Sequence, residues 1–402
     1  MQWSDKVVLS KWIVIVVWLA LGLWSVPLWA QEPAAAEPEQ AQAKDEGPPS
    51  LDQEASRELL AKARALVEDN QLDAALGLYN KLLEQYPRQH WLALEIGGAL
   101  SDVGRFAEAL PYLERAHKGD SLNMEAALRT ALCLDALGLQ DRAIVLYKRI
   151  LMLNPDHISA RFSLGRLQYE TGLFDAAEGT YRDLISREPS HWMALNNLGL
   201  VLLDRDQPTA ALSPLRRAHR LKPDDPGVTH NLGRALSAKG QHERALRFYD
   251  KALVLWGEDD LAAVRLHFDR GNALFALERF ELAAKAYRRA LELDPGYAPA
   301  QLNLGAALAN LGRYDDAVAA LESAVDYNAE RVAIYHQIAL NHMAMDDHQT
   351  ALVHLNRARM LDESNPQTFL LLGRVHAACG ESEASRRALE RACRLGAREA
   401  CR

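Results

Sequence analysis

Few residues in this sequence are spaced for bond-breaking chemistry. It holds no Gly-x-Ser-x-Gly elbow, no Walker phosphate loop and no His-Glu-x-x-His helix. The local signatures of acyl transfer, phosphoryl transfer and zinc hydrolysis are therefore missing. His342, Asp346 and His348 are close enough in sequence to share a metal ion. They surround a polar turn, where three such residues are more often solvated than ligated, so no metal or other cofactor is expected. The four cysteines, Cys133, Cys379, Cys393 and Cys401, are too few for a disulfide scaffold. The polar residue that recurs in register is asparagine, in the strings NNLGLVLLDR, HNLGRALSAK and LNLGAALANL. Asn carries a donor and an acceptor together, which suits it to holding an amide backbone.

The elements that position these asparagines repeat every 34 residues. Aligned on the Gly, six units run from Ser56 to Asp259 and four from Val264 to Glu399, with residues 260–263 as a short insertion and 400–402 as a tail. Position eight of each unit is small: Ala63, Gly97, Ala131, Gly165, Gly199, Gly233, Gly271, Gly305, Ala339 and Gly373. Position twenty is Ala in nine units and Ser385 in the last. Position twenty-four is always large, as in Tyr79, Tyr181, Tyr287 and Leu321. Thirty-four residues accommodate two helices of about four turns and two short connections. Glycine inside a helix costs roughly 0.5–1 kcal/mol against Ala, so its recurrence at position eight needs a packing reason. The expectation is close approach of the two helices, position eight facing position twenty, with position twenty-four filling the space beside them. Prolines such as Pro155, Pro223 and Pro295 end the second helix.

Segments such as LERFELAAKAYRRALELDPGYAPA and LGRYDDAVAALESAVDY closely resemble the tetratricopeptide repeat family. The resemblance covers 340 of 402 residues. It implies an all-α fold, a right-handed α-solenoid of about ten helix-turn-helix repeats. It also implies a concave surface lined by positions two, five, six, nine, twelve and thirteen of each first helix. Position six then forms a ladder of short polar side chains, Asn197, Asn231, Asp269, Asn303 and Gln337. Around it fall Asn196, His230, Arg234, Phe268, Asn272, Phe275, Leu302, Asn310, His336 and Met343. The ladder resembles the asparagine ladder of repeats that precede O-linked sugar transferases, and it suggests capture of an extended peptide by its backbone. Asn at this position also serves local hydrogen bonds within consensus repeats. The two-carboxylate clamp of some members is only half matched. Asn272 and Asn303 fit it, whereas Phe268, Ala333 and Gln337 do not.

The stretch LERACRLGAREACR resembles a Sel1-like repeat, which implies a Cys393–Cys401 bridge pinning the last helix. Arg386, Arg387, Arg391, Arg394, Arg398 and Arg402 give this end a basic face, read first as compensation of the helix dipole and as solubility.

Lys6 and Lys11 precede an apolar run from Trp12 to Trp24, followed by Pro27 and Ala30. Residues 1–30 read as a signal peptide or an uncleaved signal anchor, and either places the remainder outside the cytoplasm. Residues 31–55 read as an acidic, Pro-rich linker. Residues 31–50 alone hold five acids and one base, half the net charge of −8. Neither the chain nor the repeats carry the basic field of a nucleic-acid binder. With no room left for a catalytic domain, an enzyme is not expected. The reading is an exported scaffold or adaptor binding protein or peptide partners, in the periplasm or anchored to the inner membrane facing it. It would serve assembly of an envelope complex for secretion, pilus or polysaccharide export. A periplasmic carrier of unfolded polypeptides is the alternative, and an enzyme with an unrecognised site is a remote third. Any membrane contact is expected through the N-terminal anchor alone.

Overall fold

The computed structural model describes residues 54–257, 260–325 and 331–401. The candidate signal and nearly all of the linker lie outside these residues. All regular structure among the described residues is helical. They form two compact bodies, residues 54–205 and 206–401. The first holds α1 (Glu54–Glu68), α2 (Leu72–Gln85), α3 (His90–Asp102), α4 (Phe106–Gly119), α5 (Met124–Ala136), α6 (Gln140–Leu153), α7 (Ile158–Glu170), α8 (Phe174–Arg187) and α9 (Trp192–Asp204). The second holds α10 (Pro208–Leu221), α11 (Pro226–Ala238), α12 (His242–Trp256), α13 (Ala263–Ala276), α14 (Phe280–Leu293), α15 (Ala298–Asn310), α16 (Tyr314–Val325), α17 (Arg331–Ala344), α18 (His348–Leu361), α19 (Pro366–Ala378) and α20 (Ser382–Arg394). Odd numbers are first helices of repeats and even numbers second helices.

Local chemistry explains where these helices begin and turn. The last residue of one repeat caps the first helix of the next. Asn123 accepts from the Ala126 amide at 2.9 Å, Asp225 from Val228 at 2.8 Å and Asn365 from Thr368 at 3.2 Å. Pro226 and Pro366 then occupy the first helical position. Within each hairpin, the fifteenth residue adopts a left-handed backbone. Gly serves at 104, 138, 172, 240, 312 and 380, while Asn70, Asp206, Glu278 and Asp346 hold the same conformation elsewhere.

The core follows the eight–twenty–twenty-four pattern. Ala75, Ala109, Ala143, Ala245, Ala283 and Ala317 are fully buried, as are Tyr79, Tyr147 and Tyr181. The side chain nearest position eight is that of position twenty-four, while position twenty also faces it, as where Ser385 Oγ donates to the Gly373 carbonyl at 2.8 Å. A Cβ on Gly97 would lie 2.6 Å from Leu113 Cγ, and one on Gly305 2.6 Å from Leu321 Cγ. The missing Cβ is the space into which the large residue enters. Within each body, successive first helices also touch one another, while successive second helices approach less. First helices therefore make the inner wall.

Candidate peptide-binding walls

In the second body the wall is centred on Asp269, on α13. His230 Nε2 on α11 lies 2.8 Å from its Oδ2, with Arg234 at 3.8 Å and Arg265 at 3.9 Å. Burial alone would raise the Asp269 carboxyl. The His230 hydrogen bond and the neighbouring cations outweigh it and hold the group below the usual carboxylate range. Burial pushes His230 down, so near neutrality it is an uncharged donor and the arginines balance the carboxylate. Phe268 beside it packs on Tyr287 and Tyr297, at ring separations of 6.0 and 5.4 Å. Further along, the Asn303 amide donates to Asn272 Oδ1 at 2.7 Å, and Tyr287 Oη donates to the same oxygen at 2.8 Å. His336 Nε2 lies 2.7 Å from Thr368 Oγ1, and burial lowers His336 to about 4.

These contacts correct the ladder expected from the sequence. His230, Asn231, Phe268 and Asn303 are buried, and Asn303 bonds within the repeat array. They form the backing of the wall, not its exposed rungs. Asn310 donates back to the Ala306 carbonyl at 2.8 Å. Arg234, Asp269, Asn272, Phe275, Asn310, His336 and Gln337 are half-buried and reach the surface. Phe275 also packs edge-on against Phe280 at 5.1 Å. Asn196 and Asn197 belong to the first body, where Asn197 donates to Tyr181 Oη at 3.1 Å. The structure thus brings Asp269 together with His230 and Arg234, and Asn272 with Asn303.

The first body carries a wall that the asparagine pattern did not disclose. Arg64 on α1 makes a two-pronged pair with Glu95 on α3 at 2.7 Å, and Tyr79 Oη donates to the same carboxylate. Asp102 on α3 pairs with Arg129 on α5 at 3.0 Å. Asp135 on α5 pairs with Arg166 on α7, which also holds Glu170 at 2.8 Å. Tyr169 on α7 donates to Asp204 on α9. Burial raises the Asp135 carboxyl, and Arg166 only partly offsets that. Every partner sits at position six, nine, twelve or thirteen of a first helix, except Tyr79. The signal was present as opposite charges at wall positions of consecutive units.

Cys393 and Cys401 are bridged, folding a 3-10 turn (Arg398–Cys401) back onto α20. Cys133 and Cys379 are unbridged. His342 stacks on His354 at 5.5 Å and turns Nδ1 toward Asp347, 3.2 Å away. Asp346 is the left-handed turn residue. Among the described residues no group of three or more His, Cys, Asp or Glu is placed to hold a metal.

Stacked helical hairpins with polar inner walls define a repeat protein that works by surface, the class whose members mediate contacts between proteins. Models described as "Tetratricopeptide repeat" match residues 59–88, 94–158, 162–226, 226–296, 268–332 and 366–391. The chain belongs to the tetratricopeptide-repeat family. No Sel1 model matches the tail, where the match over 366–391 is again to a tetratricopeptide model. The BBSome complex member BBS4 of Bos taurus is 28% identical over 222 residues, 54% of this chain and 41% of that protein. The protein O-mannosyl-transferase TMTC1 of Homo sapiens is 30% identical over 194 residues, 47% of this chain and 21% of that protein. This chain spans less than half the length of these relatives. A crystal structure of the APC/C hetero-tetramer Cut9-Hcn1 is 17% identical, with a TM-score of 0.51, over 79% of this chain and 62% of that one. The fold is typical of non-enzymatic scaffolds, although relatives such as the mannosyl-transferase bear enzyme names.

Proposed function

We propose that the protein is an exported scaffold or adaptor that holds extended segments of protein partners along its first-helix walls. The observation that carries this reading is the bridging of first helix to first helix by wall side chains. Arg64–Glu95, Asp102–Arg129 and Asn272–Asn303 lock neighbouring repeats before any partner arrives. A preformed polar surface loses little conformational freedom on binding. Phe275, Asn310 and Gln337 are the half-buried groups it presents in the second body.

Export is supported by the basic and then apolar N-terminal segment and by the Cys393–Cys401 bridge, since disulfides persist in oxidising compartments. A scaffold in that location suits service in an envelope assembly.

The test is cross-linking in intact cells followed by mass spectrometry, on the natural chain and on a variant carrying Asn310→Ala and Gln337→Ala. One dominant envelope partner, diminished in the variant, supports the scaffold. A broad set of unfolded clients would favour the carrier. Recovery of cytosolic partners alone would sink the exported reading.

A further inference from the structure

The second body has a concavity of about 400 Å3 that the walls do not use. It lies along α10, a second helix. Its rim includes Thr209, Ser213, Arg216 and Arg220 from α10, with Lys239 and Gln241 from the turn between α11 and α12. Arg216 and Arg220 are one helical turn apart, so their guanidinium groups share a face. Both are exposed, as is Lys239. None of the three pairs with a carboxylate among the described residues. Nearby Arg234, Arg270 and Arg279 are each held by one. Gln241 adds to this polarity. Its Oε1 accepts from Arg244 at 2.7 Å, which leaves the amide NH2 as the group it offers, and Arg217 of α10 is the fourth cation lining the hollow. Ser213 and Thr209 supply hydroxyl donors. The result is a donor-rich, positively charged hollow in a chain whose net charge is −8.

We propose that this hollow docks an acidic polypeptide segment, whose Asp or Glu carboxylates pair with Arg216, Arg220 and Lys239. Guanidinium groups match carboxylates in a planar, two-pronged geometry. Four cations gathered in one hollow suit a short acidic stretch. They do not form the long basic track that a nucleic-acid backbone requires. The site is on a different helix layer from the peptide walls, so it adds a second point of attachment, and two attachments raise overall affinity through effective concentration.

The test uses the full chain and a fluorescein-labelled Glu-rich peptide, with its Gln-for-Glu counterpart as control, read by fluorescence anisotropy. The Glu peptide binds, the Gln peptide does not, and added salt weakens the complex. Arg216→Gln with Arg220→Gln lowers affinity at least about tenfold, as expected for charge pairs at a docking surface. Arg216→Lys with Arg220→Lys retains part of it. These positions are exposed, and thermal melting confirms that each variant is folded. Asn310→Ala with Gln337→Ala on the wall leaves this binding unchanged, which separates failure here from failure of the wall reading. Absence of Glu-peptide binding, equal binding of the Gln peptide, or unchanged affinity in the double Gln variant would overturn the proposal. So would a preference for phosphatidylglycerol vesicles or a single-stranded oligonucleotide over the Glu peptide.

Discussion

A Cβ on Gly271 would lie 2.5 Å from Cε1 of Tyr287, whose hydroxyl is tied to Asn272 at 2.8 Å. The ring is pinned at its far end and cannot retreat. Ala favours helices over Gly by about 1 kcal/mol, but overpacking a core costs about 1–3 kcal/mol. The clash wins. Gly271→Ala is expected to lower the urea midpoint by a net destabilisation of about 1 kcal/mol. Gly77 in α2 provides the contrast, because a Cβ there meets nothing within 4 Å. Gly77→Ala raises the midpoint. A Gly271→Ala variant more stable than the natural chain would refute the packing account.

The Asn272–Asn303 bond has its own consequence. Asn303→Ala removes one of the two donors to the half-buried Asn272 Oδ1 and leaves Tyr287 Oη on it, at a cost of about 0.5–1.5 kcal/mol. Asn310→Ala, with only a local bond back to Ala306, is expected within about 0.5 kcal/mol of the natural chain. Equilibrium unfolding in urea distinguishes the two. Equal midpoints would show that Asn303 is a surface rung after all.

The repeats were legible because their period is enforced by packing. Gly at position eight and a large residue at twenty-four are two halves of one steric fit, so both leave marks in the sequence. Which of the two neighbours comes nearest was not legible, since Ala283 and Tyr287 both lie near Gly271 on the neighbouring helix. The wall was half legible. Asn272 and Asn303 stood out by type, but whether an amide points to solvent or to a neighbour depends on the approach of two helices distant in sequence. The charged wall of the first body escaped because Arg64 and Glu95 are 31 residues apart and charges are common on any helix. The left-handed fifteenth position was also readable, from Gly104, Gly138, Gly172, Gly240, Gly312 and Gly380, once aligned by repeat.

That fifteenth position yields a stabilising substitution. Glu278 holds φ +58°, where a Cβ crowds the following carbonyl at a cost of roughly 1–2 kcal/mol. Glu278→Gly removes the crowding but adds freedom to the unfolded chain. The expected net gain is about 0.5–1 kcal/mol, read as a higher melting temperature. A lower one would mean that the Glu278 side chain makes an unrecognised contact.

The Cys393–Cys401 bridge closes a short loop at the end of the array. Closing a loop of that size contributes about 2.5 kcal/mol in the chain-entropy description. The effect should be local, because repeat arrays gain stability mainly between neighbours. Cys401→Ser is expected to speed amide hydrogen exchange in α19 and α20 and to leave α13 and α14 unchanged. Unfolded, unreduced protein should titrate two thiols, those of Cys133 and Cys379. Four thiols would remove the bridge.

Acid should destabilise the second body in two stages. His336 is held near 4 by burial, against an ordinary value of 6.5. Between those values the unfolded chain binds a proton that the folded chain refuses, so stability falls as pH falls, and the effect levels off below about 4. His230, also lowered by burial, acts in the same direction. Asp269 follows at lower pH. Its folded value lies below the usual 3.8, so its contribution is present above that value and is lost as pH drops through the folded one. His336→Gln can still accept from Thr368 through its amide oxygen but does not titrate. Its melting temperature should therefore decline less between pH 6.5 and 4 than that of the natural chain. Parallel declines would show that His336 is not the group that resists protonation.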